Sequence, residues 1–411
     1  MLTISGTGCA LMDYLHADIR LDSEAFLRYR ARRGGDGGLE PGKLVFVEDL
    51  ERFAGEPFSR ILEALRGGQE PDRANLGGPS IVSLIHAAQM LEGHQAQVQF
   101  FGARGVDASS DAIMHIVSRT PLEVSGYLAF AGHTPFTQVF SDPTYDHGHG
   151  ERTFVNERGV ADLFAPGHLP ERFFDAEIVA FGGTALVPQI HDNLDLLCRR
   201  AHQGGSIVVV NTAYDFQSEV RRTAADRALA GSSEENGARW PLGARDGAYR
   251  HIDVLVADRD EALKLSGADT VGAALAFFRS RGTSAAIVTD GARDIHFYSD
   301  GRLFAPQEEK ILPVSAEVRR ALGSPSRPKG DTTGCGDNFV GGLLASLALQ
   351  LEAGQKRGAF DIIDACSMAI VSGGFSCFYL GGTYLEEMSG EKRRKIEALY
   401  GLYLQQLSAG S

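Results

Sequence analysis

A glycine-rich turn that runs directly into a long apolar segment restricts the fold of this chain more than any other feature. Residues 330–338 read Gly-Asp-Thr-Thr-Gly-Cys-Gly-Asp-Asn, and residues 339–351 form an apolar stretch long enough for a buried helix. The free N–H groups and the positive dipole end of a helix start attract anions, and Gly334 and Gly336 let the backbone approach phosphate oxygens. The same field favours an ionised Asp337, so the turn indicates a phosphate site beside a proton acceptor; the alternative is a glycine-rich cap on a core helix with two incidental carboxylates.

Along the rest of the chain, short β-branched or apolar runs alternate with longer helical patterns. This alternation predicts an α/β fold whose mostly parallel sheet is covered on both faces. We expect strands at 2–5, 98–101, 178–181, 207–211, 254–257 and 286–289, and helices at 81–91, 190–202 and 270–281. Two irregular ranges, about 14–76 and 124–156, are expected to extend outside the main sheet, the second as a hairpin. The polar range 217–247 is interpreted as a surface insertion containing a helix.

Composition points to small-molecule partners. The formal net charge of −13 disfavours broad affinity for nucleic acid or an anionic membrane. The five cysteines, at positions 9, 198, 335, 366 and 377, lack CxxC spacing, so neither a disulfide framework nor a zinc site is indicated. No apolar run reaches the roughly 18 residues that span a bilayer, and the first residues do not read as a signal peptide. We therefore expect a soluble, unprocessed, cytoplasmic protein.

The turn also resembles the C-terminal signature of the ribokinase-like sugar kinases, the PfkB carbohydrate kinase family that includes ribokinase, adenosine kinase and fructokinases. The resemblance implies a three-layer sandwich with a small β lid, here a single domain over residues 1–411. It makes Asp337 the catalytic base and assigns Gly334, Cys335 and Gly336 to an anion hole for the transferred phosphate, with Thr333 beside it at the nucleotide. Many members of the family have Ala where this chain has Cys335.

Two further segments resemble the acceptor side of that family, in the family's order. Residues 4–13 resemble its first strand and turn, which implies that Asp13 binds hydroxyls of the substrate. Residues 75–78, Asn-Leu-Gly-Gly, resemble its double-glycine motif, which implies that Gly77 and Gly78 line the substrate. The chain departs from the pattern at Val82, where many sugar and nucleoside kinases carry an Asn that binds the substrate.

Two more segments resemble the nucleotide side. Residues 256–261 are similar to the family's NxxE element with Asp258 in the Asn position, which implies that Asp258 and Glu261 order Mg²⁺ through its waters. Thr289 and Gly291 lie in a strand-end turn that resembles the one lining the nucleotide. The implied cofactors are ATP and Mg²⁺, and a monovalent cation is left open.

The residues by themselves leave alternatives. Without the resemblance, Asp13 reads as a solvated turn carboxylate, and Asp258 with Glu261 as an acidic helix start. Gly6 and Gly8 could begin a dinucleotide fingerprint, but Leu11 stands where its third glycine belongs. The run 146–149, Asp-His-Gly-His, has metal-ligand spacing without a third ligand nearby.

The sequence thus predicts an ATP-dependent kinase that transfers the γ-phosphate to a hydroxyl of a sugar, nucleoside or related small molecule. A catalytically inactive ligand-binding sensor on the same fold is the alternative. Two copies could pair through an exposed edge of the lid, and neither a nucleic acid nor a membrane is expected as a partner.

Overall fold

The computed structural model describes residues 1–219, 239–324 and 330–409. Its larger sheet has nine strands in the order β14-β13-β12-β11-β10-β9-β1-β5-β6. All neighbouring pairs are parallel except those of β13 and β14, which run antiparallel at one edge. These strands are β1 (Leu2–Gly8), β5 (Ala96–Arg104), β6 (Glu123–Ala129), β9 (Ile178–Gly182), β10 (Ile207–Asn211), β11 (Val254–Asp258), β12 (Ala285–Thr289), β13 (Ile295–Ser299) and β14 (Gln307–Leu312).

The α-helices of the described residues are α1 (Glu24–Tyr29), α2 (Val47–Ala54), α3 (Phe58–Arg66), α4 (Pro79–Met90), α5 (Ala108–Val117), α6 (Tyr145–Gly148), α7 (Glu171–Phe174), α8 (Pro188–Asp192), α9 (Leu194–Gln203), α10 (Arg259–Ser266), α11 (Val271–Ser280), α12 (Ala316–Leu322), α13 (Cys335–Glu352), α14 (Ile362–Ser376) and α15 (Glu391–Ala409). Short 3₁₀ turns lie at Gly159–Leu163, Pro166–His168, Thr184–Leu186 and Asp246–His251.

Each face of the large sheet has its own core. Successive residues of β9 alternate between the two, with Ile178 in the core formed with α4, α13 and α14, and Val179 in the core formed with α9, α10 and α11. Helices therefore cover both faces of a mostly parallel sheet. The predicted fold class, an α/β three-layer sandwich with a small β lid, is confirmed.

A second sheet of five strands has the order β3-β8-β7-β2-β4. Its strands are β2 (Leu11–His16), β3 (Leu44–Phe46), β4 (Arg73–Gly77), β7 (Phe136–Asp142) and β8 (Glu151–Glu157). A third core lies between this sheet and α1 to α3, and includes Phe26, Leu50 and Phe140. Because β2 follows β1 after two residues, the small sheet begins at the carboxyl edge of the large one.

All six expected strands are present, and two of the three expected helices correspond to α4 and α11. The expected helix at 190–202 is instead two helices, because the chain leaves helical geometry at Asn193, between α8 and α9. The range 124–156 does contain the hairpin β7–β8, but its first residues belong to β6 in the large sheet.

Much of the expected insertion, 217–247, lies outside the described residues. Of its described part, Trp240 is buried rather than exposed on the surface. The single-domain organisation and the pairing of two copies stay predictions. No helix of the described residues is long and apolar enough to cross a membrane.

Candidate active site

Parallel strands of the large sheet end together at one edge. Gly8, Gly182 and Asn211 end β1, β9 and β10 in register, and Asp258 of β11 lies beside Thr289 of β12. Ligands of open parallel sheets bind in crevices at this carboxyl edge. The edge therefore brings the expected nucleotide residues Asp258 and Thr289 together.

The glycine-rich turn begins α13 at the site. Gly334 is its N-cap with a φ of 73°, and a Cβ there would lie 2.5 Å from the Cα of Gly382. Gly336 is exposed, and a Cβ there would meet nothing within 4 Å. The first N–H groups of a helix lack intrahelical acceptors, and here the N–H of Cys335 makes only a long hydrogen bond of 3.4 Å to the carbonyl of Thr332. This arrangement suits an anion.

Asp331 ties this turn to the loop after α14. Its carboxylate accepts hydrogen bonds from the N–H of Thr333 at 3.0 Å and the N–H of Gly381 at 3.3 Å. Sequence reasoning did not single out Asp331, although the residue lies inside the quoted turn. Cys335 contacts Cys377 on the same loop, with the two Sγ atoms 3.3 Å apart.

Asp337 lies in the first turn of α13, and Asp13 faces it from β2. Burial raises the pKa of Asp337 to about 6. Burial, followed by the charge of Asp337, raises the pKa of Asp13 to about 7, and Asp331 adds to the repulsion. The helix dipole was expected to favour the ionised form, and burial opposes it. Asp337 is still mostly ionised at neutral pH, with a pKa close to the operating range of a general base.

The double glycine lies directly against Asp13. β4 pairs antiparallel with β2, and a Cβ on Gly77 would lie 2.0 Å from the Oδ2 of Asp13. Gly78 has a φ of 106°, and a Cβ there would lie 2.6 Å from the carbonyl oxygen of Cys9. Only glycines fit this close approach, which places the start of α4 beside the carboxylate.

Glu261 and Asp258 begin α10 as a capping box. The Asp258 carboxylate accepts from the N–H of Glu261 at 2.8 Å, and the Glu261 carboxylate accepts from the N–H of Asp258 at 3.2 Å and the hydroxyl of Thr212 at 2.5 Å. Burial, with the charges of Asp258 and Asp337, raises the pKa of Glu261 to about 7. The charge of Asp337 therefore raises the pKa of both Asp13 and Glu261.

No group of three or more metal-ligating side chains is found in the described parts of the chain, which include residues 146–149. A hydrated Mg²⁺ does not require one, because it keeps several waters and takes one or two carboxylates together with phosphate oxygens. The repelling carboxylates at Glu261, Asp258 and Asp337 fit such an ion. Gly291 is exposed with a φ of 57°, and open space surrounds the position of its absent Cβ.

Val82 and His86 both point from α4 into the protein. Val82 is buried, and its methyl groups would lie 3.1 Å from a Cβ on Gly382. His86 is fully buried, with its Nδ1 2.6 Å from the Oδ1 of Asn338. Asn338 was not singled out either, although it follows Asp337 directly.

Residues 237–386 match the family model described as pfkB family carbohydrate kinase. No curated protein matches the chain significantly. Among solved structures, an adenosine kinase from Anopheles gambiae in complex with P1,P4-di(adenosine-5) tetraphosphate is similar, with a TM-score of 0.62 and 18% identity over 91% of this chain and 94% of that one.

A probable sugar kinase from Rhizobium etli aligns with a TM-score of 0.64 and 18% identity, covering 97% of this chain and 99% of that one. A putative ribokinase II from E. coli in complex with ATP and Mg²⁺ aligns with a TM-score of 0.60 and 15% identity, covering 99% and 100%. Residues 237–386 are therefore similar to the pfkB family carbohydrate kinases, and the chain shares the fold of these solved kinases over more than nine tenths of its length.

Proposed function

We propose that this protein is a kinase that transfers the γ-phosphate of ATP to a hydroxyl of a sugar, nucleoside or related small molecule. The observation that carries the proposal is the pairing of two carboxylates, Asp13 and Asp337, at the open glycine turn of α13. A phosphotransferase of this kind needs an acceptor site, a base and an anion site within reach of one another. Asp13, Asp337 and the glycine turn supply a candidate for each of the three.

Asp337 is the general base of the proposed reaction. Its carboxylate accepts the proton of the acceptor hydroxyl as the oxygen attacks the terminal phosphorus, and the bond from that phosphorus to the bridging oxygen of ADP breaks. A pKa of about 6 leaves the carboxylate ionised at neutral pH yet basic enough to take the proton in the transition state. Asp13 holds another hydroxyl of the acceptor and so orients the attacking one.

The N–H groups at Gly334, Cys335 and Gly336 bind the phosphoryl group in transfer. Phosphoryl transfer spreads negative charge over the equatorial oxygens, and oriented backbone donors at a helix start stabilise it without rearranging. Thr333 precedes these donors, and Asp331 holds its N–H. Thr289 and Gly291 would line the nucleotide at the end of β12.

Glu261 and Asp258 would hold Mg²⁺ through its waters, and the ion would neutralise charge on the phosphates. The complex of ATP and Mg²⁺ with the similar E. coli protein supports this choice of cofactors. Nothing among the described residues argues for a monovalent cation in addition. The five free cysteines of the chain support a reducing, cytoplasmic location.

The small sheet would cover the acceptor, because β2 and β4 carry Asp13 and Gly77 on adjacent strands. Such a cover excludes water, which otherwise competes as the phosphate acceptor. The nucleoside and sugar kinases among the similar structures support small polyhydroxylated acceptors. The buried Val82 removes one polar contact, so the acceptor need not be adenosine or ribose.

The test is Asp337→Asn, assayed for ATP consumption with a panel of sugars and nucleosides. Turnover is expected to fall by about 10³-fold, because the amide cannot accept the proton, while nucleotide binding measured by calorimetry persists. Asp111→Asn, on the exposed first turn of α5, is the matched control and should retain full turnover. Equal turnover in Asp337→Asn and the wild type would refute the mechanism. Ligand binding without turnover in the wild type would favour a sensor.

A further inference from the structure

A lysine side chain is buried directly behind the glycine turn. Lys392 of α15 is 1% exposed, and its Nζ donates to the Oε1 of Gln89 at 3.1 Å and the Oδ1 of Asn338 at 3.0 Å. Within the described residues no carboxylate forms an ion pair with it. Removing an ammonium from water is costly, and burial lowers the pKa of Lys392 to about 7, although the charge of Glu386 opposes the shift.

The amide of Asn338 has hydrogen-bond partners at both its oxygen and its nitrogen. Its Oδ1 lies 2.6 Å from the Nδ1 of His86 and accepts from Lys392 and from the hydroxyl of Tyr379 at 3.1 Å, while its Nδ2 donates to the carbonyl oxygens of Gly334 and Gly382, both at 2.8 Å. A reversed amide would set its NH₂ group against the ammonium and its oxygen against two carbonyls. The two carbonyl oxygens can only accept and the ammonium form of Lys392 can only donate, so both sides of the amide favour the observed orientation.

The two carbonyls that Asn338 holds belong to the glycines that shape the turn. The Cβ that Gly334 lacks would lie 2.5 Å from Gly382, so this amide bridges two backbones in close contact. The carbonyl of Gly334 accepts from both the side-chain and the backbone nitrogen of Asn338, each at 2.8 Å. That carbonyl shares its peptide group with the N–H of Cys335, one of the proposed phosphate donors. Hydrogen bonds in such a chain polarise one another.

We propose that Lys392 is a positioning residue for phosphoryl transfer, which acts through the Asn338 amide to hold the Gly334–Cys335 peptide in the geometry that receives the phosphate. The inference rests on the proposed function. Lys392 acts on the turn through packing and hydrogen bonds and not through its charge. Burial is the cause of the raised pKa of Asp337, and the charge of Lys392 makes no resolved contribution to it. The hydrogen-bonded side chains are Gln89 of α4, Asn338 of α13 and Lys392 of α15. The position of the turn therefore depends on how these three helices pack.

The first test compares Lys392→Met with Lys395→Met. The two lysines lie one turn apart on α15, but Lys395 is half-exposed and pairs with Glu391 at 2.5 Å. In Lys392→Met, kcat is expected to fall by about 10²-fold with the KM of the acceptor within about twofold, since small displacements of a reacting group have effects of that size. The melting temperature should hold or rise, because methionine removes a buried charge. Lys395→Met should keep the wild-type kcat.

The second test asks whether Lys392 works through Asn338. Asn338→Leu removes the amide, and adding Lys392→Met to it should lower kcat no further, because both changes break one link. Losses that multiply in the double variant would overturn the proposal. So would a Lys392→Met enzyme whose kcat stays within twofold of the wild type, or one whose kcat and melting temperature fall together.

Hydrogen exchange provides a readout that does not depend on activity. In Lys392→Met, amides of residues 330–340 should exchange faster than in the wild type, while those at the centre of α14 stay unchanged. Unchanged exchange in 330–340 would overturn the proposed link. If the wild-type protein phosphorylates no acceptor in the panel, the proposed function fails, and the exchange experiment still decides whether Lys392 holds the turn.

Discussion

The two halves of the candidate site are built in different ways. The phosphate half comes from one stretch of chain, residues 330–338, whose shape is set by a helix start and by Gly334 in a left-handed conformation. The acceptor half is assembled from two strands distant in sequence, with Asp13 on β2 and Gly77 on β4. A contiguous turn keeps its geometry as long as its helix folds. An assembled surface instead depends on the register between strands.

The halves also differ in what stabilises them. Asn338 and Asp331 hold the phosphate half with hydrogen bonds on both sides of the turn. In the acceptor half, burial and the charge of Asp337 disfavour the ionised form of Asp13, and a hydrogen bond with the side chain of Thr137 offsets this only in part. The phosphate half is therefore held by hydrogen bonds, while the acceptor half contains electrostatic repulsion that a bound substrate can relieve.

The largest effect is expected from breaking the shape of the phosphate half with Gly334→Ala. The methyl group meets Gly382 at 2.5 Å and the left-handed φ adds strain, so the turn must shift and its donors leave their positions. We expect turnover to fall by about 10²–10³-fold, and the free energy of unfolding to fall by about 1–3 kcal/mol. Steady-state kinetics and denaturant titration measure the two effects.

Gly354→Ala, at the other end of the same helix, is the control for Gly334→Ala. It introduces the backbone strain of a positive φ without a steric clash. Gly354 follows α13 with a φ of 83° and has nothing within 4 Å of the absent Cβ. Its replacement should cost about 1–2 kcal/mol of stability with wild-type turnover. If Gly334→Ala behaved like Gly354→Ala, the shape of the turn would not matter for the reaction.

A smaller effect is expected from Gly77→Ala in the acceptor half. The methyl group would lie 2.0 Å from the Oδ2 of Asp13 and displace that carboxylate from the acceptor. We expect kcat/KM for the acceptor to fall by about 10²-fold with the KM for ATP unchanged, because misplacing a group that orients the substrate has effects of that order. Initial rates with each substrate varied in turn measure the split.

Gly401→Ala, on α15 with open space around the absent Cβ, is the control and should leave both constants unchanged. An equal rise in the KM for ATP in Gly77→Ala would show that the two halves are not independent. The comparison between them would then fail.

Local patterns predicted most of the fold and the phosphate half. The six buried strands and α13 follow from apolar periodicity, and the anion site follows from glycines at a helix start. The missed features arise from specific local contacts. The break between α8 and α9 depends on Asn193, whose side chain donates to the carbonyl of Gln189 at 2.8 Å. Residues 123–129 join the large sheet because β5, α5 and β6 form a parallel unit, for which the N-cap Asp107 was an available signal.

The acceptor half and the buried network could not be predicted in the same way. The closeness of Asp13 to Asp337 was implied by resemblance alone, because no local pattern relates β2 to α13. Lys392 reads as one of several charged residues at the start of α15. Its burial depends on Gln89 and Asn338, which lie on two other helices, and such contacts carry no period in the sequence.

The smallest effect is expected from relieving the repulsion in the acceptor half with Asp13→Asn. The pKa of Asp13 is about 7 in the folded protein and near 4 when unfolded, so folding favours the protonated form. Its contribution to stability is therefore present below about pH 4 and is lost as the pH rises to 7. Asparagine mimics the neutral carboxyl, so the variant should melt above the wild type at pH 8, by about 2 °C or more, and close to it at pH 4. Thermal unfolding at both pH values checks this. A variant that melted below the wild type at pH 8 would mean that the Asp13 carboxylate stabilises the ligand-free protein. The acceptor half would then contain no electrostatic repulsion for a substrate to relieve, and the contrast with the phosphate half would be lost.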